Sequence, residues 1–187
     1  MCKNKVELKK ILQYEKKVYS DYMFSTKSRY FLSKIKREPV RMILIFLIWS
    51  RKADYYSYKK KNGGIIDKIA YLIYISLKNR LGEKLGMEIG TENIKEGLMI
   101  YHYNNVVNGR SLIGKNCHLH GNNCIGNNGI DNECPIIGDN VSLGVGAKVI
   151  GKVTIANNIK IAAGAVVVSS FLEEGITIGG IPARKIK

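Results

Sequence analysis

Over its second half this sequence counts in sixes, and nothing else in it limits so sharply what the chain can fold into. Stepping by six gives Val107, Ile113, Leu119, Ile125, Asp131, Ile137, Leu143, Val149, Ile155, Ile161 and Val167, all aliphatic but one. Four residues after each of the last six come Val141, Ala147, Val153, Ile159, Ala165 and Phe171. Two inward positions per six residues mark a short strand and a corner. Such a strand cannot bury its inner face alone. Three per coil form a triangular prism, each coil stacked on the last with parallel backbone pairing at about 4.8 Å. The exception, Asp131, lies in a polar, glycine-containing stretch, so 127–135 reads as a loop ejected from the prism.

Before the repeats the spacing is helical. Residues 4–20 place Val6, Leu8, Ile11, Leu12, Tyr14 and Val18 among lysines three and four apart, the pattern of an amphipathic helix. A second helix is expected over 27–36. A third is expected over 40–56, opened by Pro39 in its first turn. Asn62-Gly63-Gly64 then breaks the chain, and 65–81 is apolar nearly all round ahead of Gly82. That predicts a largely buried fourth helix, packed on its own domain or on another subunit, with Gly82 as its C-terminal cap. The expected class is α+β, with a helical domain over 1–85 and a repeat domain over 86–187.

Charge divides at the same boundary. Residues 1–85 hold 21 Lys+Arg against 7 Asp+Glu, a net +14, and the remainder only +1. A basic half can meet nucleic acid, an acidic membrane surface or an anionic substrate, or can be a solvated face. The expectation carried forward is peripheral contact with a membrane surface, helped by Leu44, Phe46, Leu47 and Trp49, and no nucleic-acid partner. The longest apolar run, 42–49, is far short of the ~20 residues of a membrane-spanning helix. No secretory signal is apparent at the N-terminus, which suggests a cytoplasmic protein. Cys2, Cys117, Cys124 and Cys134 form no CxxC pair or zinc-ribbon spacing and read as reduced thiols.

Ile136-Ile137-Gly138-Asp139-Asn140-Val141, Gly144-Val145-Gly146-Ala147-Lys148-Val149-Ile150-Gly151 and Gly179-Gly180-Ile181-Pro182-Ala183-Arg184 resemble the serine acetyltransferase family of hexapeptide-repeat acyltransferases. Within it the chain looks most similar to members associated with bacterial capsule and exopolysaccharide synthesis. The resemblance implies a left-handed coil, acetyl-CoA as acetyl donor without a metal, a homotrimer, and active sites between neighbouring subunits. It covers about 86–187, and the helices more loosely.

The same resemblance assigns candidate residues. Gly97-Leu98-Met99-Ile100-Tyr101-His102, followed by Val106-Val107, matches the segment carrying the family's catalytic histidine, so His102 is the expected general base. The chemistry agrees: an alcohol is too weakly acidic to attack a thioester near neutral pH unless a neutral imidazole takes its proton. Glu88, about one coil upstream across a one-residue gap, is the candidate carboxylate that orients it. Asn127, Val145 and Ala163 are expected along the thioester arm, with Arg184 and Lys185 near the nucleotide phosphates.

Tyr101 and Glu133 are the candidate acceptor contacts. Tyr101 stands where serine-specific relatives carry an aspartate, and Glu133-Cys134 stand where they carry an Arg-His pair before Pro135. A carboxylate repels the carboxylate of serine, whereas Tyr and Glu suit sugar hydroxyls. The expected acceptor is therefore a hydroxyl on a polysaccharide or its precursor, with free L-serine as the alternative. Two further readings stay open. His118-Leu119-His120 with His102 supplies three nitrogens for a zinc hydratase on the same prism, and a non-catalytic trimeric scaffold would keep the prism without chemistry.

Overall fold

A computed structural model describes the chain except for Met1, Lys3, Phe24, Ser25 and Arg37. The chain divides into two compact units, Met1–Leu85 and Gly86–Lys187.

The first unit is helical, with α1 (Lys5–Met23), α2 (Lys27–Ile35), α3 (Pro39–Lys59) and α4 (Ile65–Leu85). The side chain of Asn4 caps α1 by accepting from Glu7 N at 2.9 Å, and Thr26 caps α2 by accepting from Arg29 N at 3.2 Å. Pro39 opens α3, as its fixed φ and missing N–H favour. Tyr19, Ile43, Phe46 and Leu47 form the fully enclosed part of the core. Beside them Arg51 donates to Glu15 Oε1 through both Nε (3.1 Å) and Nη2 (2.7 Å), a buried ion pair joining α3 to α1.

Three expectations for this unit are corrected. First, Gly82 does not cap α4. It lies inside the helix, which runs through Glu83, Lys84 and the buried Leu85 and ends at Gly86, whose φ of +61° suits a glycine. Second, α4 is not largely buried within the chain. Leu81, Gly82 and Leu85 are its buried residues, while Ile65, Ile66, Ile69, Leu72 and Ile73 are exposed. Its covered side faces α3, where Tyr74 stacks on Tyr56 at 5.6 Å and accepts from Lys52 Nζ at 3.2 Å. Third, Leu44, Phe46 and Leu47 lie in the core, so they are not the residues that could meet a lipid surface. No helix among the described residues is long and apolar enough to cross a membrane.

The second unit is the coil of short strands that the count of six implies. In chain order they are β1 (Glu88–Ile89), β2 (Met99–Ile100), β3 (Val106–Val107), β4 (Leu112–Ile113), β5 (His118–Leu119), β6 (Cys124–Gly126), β7 (Ile136–Ile137), β8 (Ser142–Leu143), β9 (Lys148–Ile150), β10 (Thr154–Ile155), β11 (Lys160–Ile161), β12 (Val166–Val167), β13 (Thr177–Gly180) and β14 (Ala183–Lys185). They form three faces: β1-β3-β6-β9-β12, β4-β7-β10 and β2-β5-β8-β11-β13-β14. Every pairing is parallel except that of β13 with β14.

The stepped residues point inward as expected: Val107, Ile113, Leu119, Ile125, Ile137, Leu143, Val149, Ile155, Ile161 and Val167 are all buried, whereas Asp131 is exposed. Leu112 pairs with Ile136, 24 residues on, where Ile136 pairs with Thr154 after 18. The ejected loop therefore inserts six residues into one coil. Asn128 Oδ1 accepts from the backbone N of Ile130 and Asp131, and Asp131 Oδ1 from that of Glu133, so the loop holds its own shape. At one corner Asn116, Asn140 and Asn158, with φ of +52°, +58° and +61°, pass an amide hydrogen bond from coil to coil at 3.1 and 3.0 Å. Asparagine tolerates this left-handed backbone and still bonds its neighbour. Cys117 is enclosed, and burial pushes its thiol up to about 12; all four cysteines are free.

Candidate active site

Extending the register of the long face two residues past its strands shows what surrounds His102. Ile100 pairs with Leu119, Leu119 with Leu143 and Leu143 with Ile161. His102, Gly121, Val145 and Ala163 thus occupy the same corner in four successive coils. The contact at its start is direct, since a Cβ built on Gly121 would lie 2.7 Å from His102 Cβ. His102, Val145 and Ala163 are exposed along this corner. Small residues here leave backbone groups open to a chain-like ligand. The same face ends four steps above β2 in β13 and β14, roughly 19 Å away at the spacing between strands, and β14 carries Arg184 and Lys185.

Around His102 the outer side of this face is aromatic and imidazole-rich. The Tyr101 ring stacks on His120 at 4.5 Å and 13°, and Tyr101 Oη lies 3.2 Å from His118 Nδ1. His120 Nε2 lies 3.2 Å from Ser142 Oγ. Burial, then the neighbouring His120, lowers the pKa of His118 below the ordinary 6.5; burial, then the nearby His102, does the same for His120. Both effects favour the neutral imidazole. Among the described residues no group of three or more His, Cys, Asp or Glu is placed to hold a metal ion. His118 and His120, two of the three nitrogens of the zinc-hydratase reading, are turned to Tyr101 and Ser142.

The other candidates are distributed as follows. Glu88 opens β1 in the coil below His102, exposed, with its N donating to Asn105 O at 3.0 Å; no hydrogen bond joins its carboxylate to His102. Asn127 follows β6 at a different corner from Val145 and Ala163, and its Nδ2 donates to Asp131 O at 3.0 Å. Glu133 belongs to the ejected loop and pairs with Lys152 at 3.3 Å. Within one chain, then, Asn127 and Glu133 are not at the corner of His102. Lys185 Nζ sits 2.6 Å from Glu173 in an exposed pair of the kind that contributes little, and Arg184 donates to Ala183 O at 3.0 Å.

Two residues at this corner escaped the sequence reading, the buried Asn105 and Asn123. Their signal is visible in hindsight: Asn104-Asn105 and Asn122-Asn123 repeat 18 residues apart, the length of a full coil.

No family model matches the chain. It is 30% identical over 122 residues to the serine acetyltransferase of Buchnera aphidicola subsp. Schizaphis graminum, covering 63% of this chain and 46% of that protein. It is 32% identical over 146 residues to the serine acetyltransferase of Staphylococcus xylosus, covering 76% of this chain and 64% of that protein. Among solved structures, a Brucella abortus serine acetyltransferase in complex with coenzyme A superposes with a TM-score of 0.71 at 21% identity, covering 97% of this chain and 68% of that one. The chain is thus similar in sequence to serine acetyltransferases. A helical N-terminal region leading into a left-handed parallel β-helix, the fold expected from the resemblance, is the one it shares with such structures. The chain spans about half to two thirds of the length of those two curated relatives.

Proposed function

We propose that this chain is an acetyl-CoA-dependent O-acetyltransferase with His102 as general base. The observation that carries the reading is the corner column of His102, Gly121, Val145 and Ala163, leading along one face toward Arg184 and Lys185. An extended thioester fits such a column: its acyl end beside an exposed imidazole, its arm over small residues, its phosphates near two cations. When bound, acetyl-CoA supplies the activated acyl group. His102 would take the proton of the acceptor hydroxyl as the ester C–O bond forms, and return it to sulfur as the thioester C–S bond breaks. Glu88, one coil below, would orient the imidazole.

We further propose a homotrimer with sites between subunits, so that Asn127 and Glu133 of one chain could reach the His102 corner of another. The protein would act in the cytoplasm, and contact of its basic helical unit with a membrane surface remains part of the reading.

For the acceptor, the names of the relatives support L-serine better than a saccharide. L-serine is therefore the leading acceptor, which reverses the order expected from the sequence. A saccharide hydroxyl stays as second reading on one observation. The flat Tyr101–His120 stack beside His102 offers an aromatic surface edged by hydrogen-bonding groups, which suits a sugar ring.

Thiol release from acetyl-CoA, followed with L-serine, nucleotide sugars and capsule fragments, decides between them. Replacing His102 by Ala should lower kcat by roughly 10² to 10⁴ with the acetyl-CoA KM nearly unchanged. Full activity in that variant would remove the base, and no transfer to any acceptor would leave a non-catalytic scaffold.

A further inference from the structure

We infer that Asn105, Asn123 and Gly121 form a positioning relay that sets where His102 stands relative to the corner carrying Val145; this rests on reading His102 as the base. The need for one comes from the local geometry. From Ile100 to Val106 the chain takes six steps, while the paired residues Leu119 and Cys124 are five apart. The corner of His102 therefore carries one residue more than the corner above it, with Asn104 in the left-handed region at φ +62°. A corner with slack does not fix a side chain by itself.

Asn105 takes up that slack from inside. It is 0% exposed, and its Nδ2 donates to the carbonyl of His102 at 2.7 Å. Its Oδ1 accepts from Asn123 N at 3.1 Å, and its own carbonyl accepts from Glu88 N at 3.0 Å. Asn123, 1% exposed, continues the path: its Oδ1 accepts from Gly121 N at 3.0 Å, and its Nδ2 donates to Gly144 O at 2.7 Å and Ala147 O at 3.2 Å. Gly121 closes the circuit, its carbonyl accepting from Gly146 N at 2.9 Å. The path thus starts on the carbonyl of the base and ends on both sides of Val145.

Two physical consequences follow. Both ends of each buried amide are satisfied, so the relay has one low-energy arrangement and is stiff. Gly121 also acts as a seat for His102, because any side chain there would press on the histidine Cβ at 2.7 Å, on a backbone whose φ of +118° disfavours one anyway. An acyl transfer in which base, hydroxyl and thioester must meet within a fraction of an ångström is sensitive to such a seat. Asn105 and Asn123 are buried beneath the column and touch no ligand, so their loss acts on turnover and not on donor binding, whereas Gly121 also lies in the column itself.

The test compares Asn105→Ala and Gly121→Ala, which disturb His102 from opposite sides, with Asn116→Ala, which deletes an amide of similar kind at another corner. Each is checked for folding by thermal melting and for size by light scattering. Expected are losses in kcat of roughly 10- to 100-fold in the first two, with the acetyl-CoA KM of Asn105→Ala within about two-fold of the parent. Asn116→Ala lowers the melting temperature and leaves kcat alone. Independently of turnover, the His102 ring resonances in NMR spectra should shift or broaden in Asn105→Ala and Gly121→Ala but not in Asn116→Ala. If both site variants fold, keep kcat and leave the His102 signals in place while His102→Ala is inactive, the relay is refuted and the base stands. If His102→Ala is active, the base assignment fails and takes the relay with it.

Discussion

Leu143→Ala measures how much of the prism's stability rests on a single inward step. Leu143 is 0% exposed in β8, in register with Leu119 below and Ile161 above, themselves 0% and 3% exposed. The substitution removes three carbons from a site whose neighbours are held by backbone ladders above and below. At about 0.8 kcal/mol per buried carbon group the transfer part is about 2.4 kcal/mol. A cavity that cannot collapse brings the total to about 3–4 kcal/mol. For a chain of this size each kcal/mol moves the melting temperature by about 2–4 °C, so a fall of roughly 6–16 °C is expected. The matched control is Ile136→Ala, an aliphatic residue in β7 that points outward and is 47% exposed; it should cost less than about 1 kcal/mol. Urea and thermal unfolding followed by circular dichroism, with the denaturant slope checked for constancy, give both values. Equal costs at the two positions, or a loss below about 1 kcal/mol at Leu143, would refute the inward–outward assignment.

In the helical unit, Glu15→Leu takes away the carboxylate that Arg51 holds at 2.7 Å in a buried setting and should destabilise by about 3–5 kcal/mol. Adding Arg51→Met should return much of that loss, and a double variant as unstable as the single one in urea unfolding would contradict the assignment. His118 and His120 have pKa values lowered below 6.5 in the fold, so below that pH the unfolded chain binds more protons than the folded one. Their contribution is complete above 6.5 and is lost as pH falls below it. The variant carrying His118→Gln and His120→Gln should accordingly show a shallower fall in stability as pH drops below 6.5. An unchanged slope would show that these rings titrate as they do in the unfolded chain.

The prism was legible because its core lies at a fixed interval and because the ejected loop adds six residues, one repeat length. Ile137 and the stepped residues after it as far as Val167 stay in phase with Val107, and over that span only Asp131 interrupts the count. A loop of five or seven would have broken the series in two. The helices were legible as elements but not in their packing: α4 carries apolar residues all round, so periodicity could not say which side is covered. The end of α4 was misplaced because a glycine inside a helix and one that stops it look alike until φ is known. His102 and Glu88 came from resemblance, whereas Asn105 and Asn123 were overlooked because polar residues in a turn-rich stretch look like surface. Asn123 stands four residues after Leu119, the inward position that Ala147 takes after Leu143, so its burial follows from the repeat itself, and Asn105 lies one coil of 18 residues before it.

The return of β14 against β13 matters beyond the site at that end. A parallel stack presents the same unpaired backbone at its last rung as at every rung before it, so another chain could in principle add on in the same sense, and another after that. On the long face that last rung is paired antiparallel to β14, with Gly179 opposite Arg184 and Ile178 opposite Lys185. A newcomer there meets a strand running the wrong way, with charged and exposed Arg184 and Lys185 side chains in its path. The hairpin is thus a stop against end-to-end polymerisation, made from the same two cations that the donor's phosphates would use.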